Sequence, residues 1–117
     1  YMGERMKKVV IAFDVDGTLI DDQDRMIIRT VRLLTDLAHM KNVEVVVWSG
    51  GGKDYAEMWV RKLGLGTYVK ACYDKNHISS DSEGKKHAFN PEITPDIAID
   101  DIQDCELGNI NLIVREK

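Results

Sequence analysis

The 117-residue sequence predicts an α/β fold, a three-layer Rossmann-like domain with a five-stranded, mainly parallel sheet. Short runs of β-branched residues alternate with segments whose apolar residues recur at helical spacing, which is typical of parallel βαβ units. The composition, 44% hydrophobic and 31% charged, is that of an ordinary globular protein. The length suits one domain with a single core, so we expect residues 1–117 to form one domain.

The first half of the chain predicts two strand–helix units. The apolar run at residues 9–13 ends at an acidic turn that contains glycine, and it predicts a buried strand. Residues 26–39 carry apolar side chains three and four positions apart, which predicts a helix. A second buried strand is expected at residues 44–48, before Ser49 and three glycines. A second helix is expected at residues 54–63.

The second half is predicted to add three strands around a long polar segment. A third strand is expected at residues 67–73, and residues 74–95, rich in Ser, Asp, Asn and Lys, are expected to be a loop. Residues 97–99 and 112–114 predict the fourth and fifth strands. We expect residues 1–6 to be a tail outside the domain.

Charge and cysteine content limit the function classes. The net charge of -4 does not indicate a nucleic-acid partner. Cys72 and Cys105 form neither a disulfide framework nor a metal-ligand spacing, and Cys72 is expected to be a half-buried structural thiol. With no signal peptide pattern and no apolar stretch near 18 residues, a cytoplasmic protein without a membrane partner is expected.

Two carboxylates follow the first strand directly. Asp14 and Asp16 are two residues apart, so in extended backbone their side chains point the same way. Close carboxylates repel and raise each other's pKa, and a hard cation such as Mg²⁺ relieves that repulsion. The alternative is that the pair merely solvates the start of a loop.

The other strand ends add to this site. Ser49 and Gly50 follow the second strand, Lys75 lies just past the third, and Asp100 with Asp101 ends the fourth. Parallel strands bring these ends to one edge of a sheet, where α/β proteins bind ligands. Carboxylates suit Mg²⁺, and backbone N–H groups at a glycine-rich turn suit a phosphoryl group. The alternative for the acidic pair is a helix N-cap, and for the glycine run a flexible turn.

The motifs resemble those of the haloacid dehalogenase-like superfamily. Residues 14–19, Asp-Val-Asp-Gly-Thr-Leu, are similar to its first motif, residues 46–50 to its second and residues 97–101 to its fourth. Asp104 matches an acid that often follows the fourth motif. The third motif is a lysine, for which Lys75 is the first choice and Lys85 and Lys86 are alternatives.

The resemblance implies a phosphatase mechanism. Asp14 would be the nucleophile that forms an aspartyl phosphate, and Asp16 would protonate the leaving group and then deprotonate water. Mg²⁺ would bind Asp14, the backbone carbonyl of Asp16, and Asp100 or Asp101. The phosphoryl group would be bound by Ser49 and Gly50. Thr18, counted with Ser49 and Gly50 among the substrate-binding residues, would orient Asp16, and Lys75 would balance the negative charge.

The chain leaves no room for the cap domain that usually closes the pocket in that superfamily. The resemblance therefore implies an open site, which suits a macromolecular substrate or a homo-oligomer in which a neighbouring subunit covers the pocket. Residues 76–90 are a candidate flap or subunit contact. The rival hypothesis is a domain that keeps the metal site but acts as a binding or regulatory module; the intact Asp14 and Asp16 pair favours the enzyme.

Overall fold

A computed structural model describes residues 7–75, 77–80, 82, 86–90, 92–101, 105–106 and 110–113 of the chain. Its elements in chain order are β1 (Val9–Asp14), α1 (Ile28–Ala38), β2 (Val43–Ser49), α2 (Lys53–Lys62), β3 (Ala71–Asp74), β4 (His77–Ser80), β5 (Lys86–Phe89), β6 (Ile97–Asp100), β7 (Cys105–Glu106) and β8 (Ile110–Ile113). No helix within these ranges is long and apolar enough to cross a membrane.

The main sheet has five strands in the order β3-β2-β1-β6-β8, and every neighbouring pair is parallel. The predicted α/β class with a five-stranded, Rossmann-like parallel sheet is thus confirmed. The chain builds β2 and β3 on one side of β1 and then crosses to build β6 and β8 on the other. The order therefore reverses between β1 and β6, which is where open α/β sheets bind ligands.

Side-chain alternation along the strands divides the core between the two faces of the sheet. On one face Phe13 and Val47 pack with Leu34 of α1 and Trp59 of α2, all buried. Because both helices contribute an apolar stripe to this one cluster, they cover the same face of the sheet. The opposite face buries a smaller cluster that includes Trp48, with Ile93 packed against it.

The polar segment that we expected to be a loop instead contains two strands, so that expectation was wrong. Antiparallel pairing joins β4 and β5, and β5 pairs with β7 to complete a second sheet of three strands. These strands contain Ser, His and Lys and show no apolar alternation, so the usual strand signal is absent. Asn90, directly after β5, donates a 2.6 Å hydrogen bond to the carbonyl of Asp74 and so ties this segment to the end of β3.

The other predicted elements differ from the structure mainly at their ends. The third strand begins at Ala71, because residues 66–68 form a turn, and the fifth strand is β8, which begins at Ile110. Cys72 has a free thiol and is buried, whereas we expected it to be half-buried. The predicted tail at residues 1–6 lies outside the described residues.

Candidate functional site

The carboxyl ends of β1 and β6 bring two acids together at the switch point of the sheet. Phe13 pairs with Ile99 in the parallel register, so Asp14 and Asp100 follow side by side as the last residues of their strands. Both carboxyl groups are buried, with 8% and 3% of their side chains exposed. Two neighbouring buried carboxylates repel each other and need a positively charged partner.

That partner is Lys75. Its ammonium nitrogen lies 2.9 Å from Oδ1 of Asp14 and 2.7 Å from Oδ2 of Asp100, and only 4% of its side chain is exposed. The Lys75 backbone N–H donates to the carbonyl of Ser49 at 3.0 Å, which fixes the start of the side chain beside the end of β2. The ammonium group also lies 5.9 Å from the centre of the Trp48 ring. Lys75 therefore joins the ends of three strands.

Burial and mutual repulsion set the charge state of this cluster. Burial, and then the nearby Asp100, raise the pKa of Asp14 to about 7, although the Lys75 ammonium acts in the opposite direction. Burial alone would lower the pKa of Lys75, but the negative charges of Asp14 and Asp100 outweigh that effect, so the pKa of Lys75 is raised. Lys75 therefore stays protonated at neutral pH, whereas Asp14 titrates near neutral pH.

Asp101 adds a third carboxylate on the solvent side. One oxygen atom from each of Asp14, Asp100 and Asp101 can be chosen so that all three lie within 4.8 Å of one another. The Asp101 N–H donates to Oδ1 of Asp100 at 2.7 Å. Asp101 is exposed, but partial burial and its contact with Asp100 raise its pKa to about 6. Three carboxylates face one ammonium group here, so a divalent cation would complete the charge balance.

Gly17 allows Asp101 to approach the turn after β1. The φ angle of Gly17 is +80°, and a Cβ atom at this position would collide with the carboxylate of Asp101. A side chain at residue 17 is therefore excluded both by backbone conformation and by space. The same turn is held by the carbonyl of Val15, which accepts hydrogen bonds from Thr18, Leu19 and Ile20 N–H groups.

Asp16 lies apart from the acidic cluster. It is exposed, and its Oδ1 accepts a 2.8 Å hydrogen bond from the hydroxyl of Tyr55. Thr18 is fully buried, and its hydroxyl has no hydrogen-bond partner in the part of the chain that the structure describes. The expectation that Thr18 orients Asp16 was therefore wrong, because the hydroxyl is enclosed by the core; Tyr55 makes the contact instead.

Tyr55 was missed by sequence reasoning, which placed it only within the second predicted helix, residues 54–63. Burial, followed by the hydrogen bond to Asp16, raises the pKa of this tyrosine, so its hydroxyl remains a donor at neutral pH. Its position within the first turn of the helix that follows the glycine run was the available signal, since that turn lies at the same sheet edge as Asp16.

The turn after β2 presents the groups predicted to bind a phosphoryl group. Ser49 is buried, and its Oγ accepts a 3.0 Å hydrogen bond from the Gly51 N–H. Gly50 is exposed, with open space where a Cβ would stand. Gly52 has a φ of +108° and begins α2 at the same edge. The Ser49 hydroxyl hydrogen and the Gly50 N–H are donors that an anion at this edge could use.

The structure therefore brings Asp14, Lys75, Asp100 and Asp101 together. It places Asp16 and Gly50 in neighbouring turns and Ser49 at the end of β2. Of the two alternative lysines, Lys86 belongs to β5, and nothing of its side chain is described. Lys85 and Asp104 lie outside the described residues.

Comparisons with known proteins give a family without a known activity. Residues 3–98 match the model of a family described as "Protein of unknown function (DUF705)". The chain is also 29% identical over 75 residues to an "Uncharacterized 36.0 kDa protein" of Orgyia pseudotsugata multicapsid polyhedrosis virus. The match covers 62% of this chain and 24% of the viral protein, so the chain spans only a part of that relative's length. No solved structure matches significantly.

These matches overturn the family suggested by the sequence motifs. We expected a member of the haloacid dehalogenase-like superfamily, and that assignment was wrong, since the family model and the viral relative both lead to proteins of unknown function. The physical reason is that the resemblance used short motifs at strand ends. Any parallel sheet that places carboxylates and a glycine turn at its carboxyl edge can produce such motifs. A proposal for the chemistry of the site must therefore be argued from the geometry of its residues.

Proposed function

We propose that this chain, which belongs to the DUF705 family of proteins of unknown function, is a Mg²⁺-dependent phosphomonoester hydrolase that works through an aspartyl phosphate on Asp14. The observation that carries the proposal is the buried Lys75 ammonium, which contacts Asp14 and Asp100 at once beside a third carboxylate, Asp101. A surface ion pair would not require this burial, and a buried pair serving stability alone would not require the surplus of acids.

The donor set fits a hard divalent cation. Lys75 contacts one oxygen of Asp14, so the second oxygen can bind another ligand, and Asp101 lies exposed on the solvent side. Carboxylate oxygens within 4.8 Å of one another are the ligand type that Mg²⁺ prefers. Asp14, Asp100 and Asp101 would hold the ion. When bound, it would neutralise the repulsion between an anionic nucleophile and an anionic phosphate ester.

In the first step Asp14 and Asp16 act on opposite sides of the phosphorus atom. A carboxylate oxygen of Asp14 forms a bond to phosphorus, and the bond from phosphorus to the ester oxygen breaks. Asp16 gives its proton to that departing oxygen, which leaves as an alcohol. The exposure of Asp16 supports this role, because a proton donor to the leaving group must face the bound substrate.

The second step returns the enzyme to its starting state. Asp16, now ionised, takes a proton from water while the water oxygen attacks phosphorus. The bond between phosphorus and Asp14 breaks, releasing inorganic phosphate and restoring the carboxylate. Lys75 holds Asp14 in place through both steps, and Ser49 with the Gly50 N–H binds the phosphoryl oxygens.

The substrate class follows from the exposure of the groups around the cluster. Asp16, Gly50 and Asp101 are all exposed. This supports an open site for a phosphate ester on a small molecule or a macromolecule, with a neighbouring subunit of a homo-oligomer as an alternative cover. The proposal also places the protein in the cytoplasm, with the free thiol of Cys72 as support.

Hydrolysis of p-nitrophenyl phosphate tests the proposal, with and without Mg²⁺, for the wild type, Asp14→Asn and Asp16→Asn. Asp36→Asn is the matched control, because Asp36 is an exposed acid on α1 away from the sheet edge. We expect metal-dependent turnover that falls by at least about 100-fold in Asp14→Asn and Asp16→Asn, but not in the control. A rapid acid quench should retain one phosphoryl group on Asp14, seen by peptide mass spectrometry.

One outcome would contradict the enzyme hypothesis and favour the alternative, a binding or regulatory module. If Mg²⁺ binds the folded wild type but no phosphate ester is hydrolysed, the domain is a binding or regulatory module. Turnover that survives in Asp14→Asn would reject the covalent route while leaving a metal-dependent hydrolase.

A further inference from the structure

We propose that Tyr55 is a positioning residue that aims the carboxyl group of Asp16 at the leaving-group oxygen, an inference that rests on the proposed phosphatase function. The Tyr55 hydroxyl lies 2.8 Å from Oδ1 of Asp16. The two residues are 39 positions apart and belong to the turn after β1 and to α2. Their contact therefore links the turn after β1 to the first turn of α2.

The backbone of Asp16 is well fixed, whereas its side chain depends on this contact. The Gly17 N–H donates to the carbonyl of Ile20 at 2.8 Å, and Asp16 and Ile20 form a β-bridge. The Asp16 side chain itself is exposed, so no surrounding core selects its rotamer. An exposed aspartate would sample several rotamers, and a hydrogen bond from a fixed donor selects one of them.

Tyr55 is suited to be that fixed donor because its own surroundings hold it. It lies in the first turn of α2, directly before the fully buried Ala56. Its ring packs against Gly51, where an added Cβ would lie 3.1 Å from the ring. A tyrosine has only two side-chain torsions to fix, so it carries a hydroxyl group at little entropic cost.

The direction of the hydrogen bond assigns the transferable proton. With the Tyr55 hydroxyl donating to Oδ1, the proton of a neutral Asp16 is on Oδ2. Oδ2 is then the atom that gives the proton to the leaving group in the first step and takes one from water in the second. Tyr55 touches neither substrate nor cation in this scheme and acts only through Asp16.

The test uses substrates that differ in their need for a proton. p-Nitrophenolate leaves readily without protonation, whereas the alkoxide of glycerol phosphate does not. For Tyr55→Phe we expect kcat on glycerol phosphate to fall by about 10- to 100-fold, because a small misplacement of a catalytic group has effects of this size. On p-nitrophenyl phosphate the loss in kcat should be smaller, because only the second step, in which Asp16 acts as the base, then depends on the contact, and KM should be unchanged for both substrates.

Two comparisons isolate the positioning role. Tyr68→Phe is the matched control, because Tyr68 contacts His39 instead and lies away from the site, so both activities should remain near wild type. In an Asp16→Asn background, Tyr55→Phe should cause no further loss, since its effect passes through Asp16. The melting temperature of Tyr55→Phe should stay close to that of the wild type.

Three results would overturn the inference. Equal losses on both substrates, a change in KM alone, or an additive loss in the Asp16→Asn background would each show that Tyr55 acts by another route. A wild type without metal-dependent turnover on either substrate would instead reject the proposed function itself, and this inference with it.

Discussion

The ammonium group of Lys75 lies 2.7 Å from Oδ2 of Asp100, and both side chains are almost completely buried. The residues are 25 positions apart, and the second sheet begins between them in sequence. The same ammonium contacts Asp14, so one cation balances two acids at the switch point. Buried charges of this kind are costly when one partner is removed.

Lys75→Met should therefore destabilise the protein strongly in the absence of metal. It leaves Asp14 and Asp100 buried without their cation, and we expect the free energy of unfolding to fall by about 3–5 kcal/mol. Urea unfolding in EDTA measures the change. Lys70→Met is the control, because Lys70 is exposed and its 3.9 Å ion pair with Glu44 is worth at most about 1 kcal/mol. Similar losses in both variants would contradict a buried cluster.

Stability without metal should decrease as pH rises through the pKa values of the two perturbed acids. Asp14 and Asp101 have pKa values raised to about 7 and about 6, above the ordinary value of 3.8. An acid whose pKa is higher in the folded than in the unfolded state stabilises the fold fully at pH values below its unfolded-state pKa. That stabilisation is lost as the pH rises through the folded-state pKa. Melting temperatures in EDTA should therefore fall between about pH 4 and pH 7.

If the proposed metal site exists, added Mg²⁺ should reverse this trend, because the ion would bind the ionised carboxylates. The gain in melting temperature on adding Mg²⁺ should therefore increase over the same pH range. Asp14→Asn should flatten both profiles, since it removes the acid with the larger shift. A Mg²⁺ effect that is independent of pH would contradict binding at these residues.

Gly17→Ala should weaken both the fold and the proposed metal site. The new Cβ meets the carboxylate of Asp101 and forces a positive φ on alanine, so we expect a loss of about 1–3 kcal/mol and weaker Mg²⁺ binding. Gly66→Ala is the control, because Gly66 has open space at its Cβ position. Calorimetric Mg²⁺ titration and thermal melts provide the two measurements. Unchanged Mg²⁺ affinity in Gly17→Ala would show that Asp101 does not bind the cation.

Thr18→Val should stabilise the protein by about 1 kcal/mol. The Thr18 hydroxyl is fully buried, with no hydrogen-bond partner in the described ranges, so replacing it with a methyl group removes an unpaired polar atom at constant volume. Chemical unfolding measures the change. A loss of stability would mean that the hydroxyl has a partner, such as an ordered water molecule.

The sequence was informative where chemistry and backbone pattern coincide. Asp14 and Asp100 end apolar runs, so their meeting at one sheet edge followed from parallel pairing alone. Lys75 was the preferred lysine for the same reason, and the structure places it between them. The assignment to a superfamily from the same short motifs failed, because a few residues at strand ends describe a kind of site and not an ancestry.

Other features depend on side-chain geometry or on weak strand signals. The contact of Tyr55 with Asp16 joins a side chain of α2 to one of the turn after β1, and no periodicity encodes it. The strands β4 and β5 lack apolar alternation, so composition favoured a loop. The isolation of the Thr18 hydroxyl from Asp16 is likewise a matter of how the turn after β1 folds into the core.

The strand order of the main sheet has a consequence for protein synthesis. Asp14 emerges from the ribosome before Asp100 and Asp101, which follow only after β3 and the antiparallel pair β4 and β5 have been made. A nascent chain that ends before β6 therefore lacks Asp100 and Asp101. It also lacks β6 itself, the strand that pairs with β1 on the side opposite β2. On the proposed function, the enzyme would remain inactive until β6 joins the main sheet.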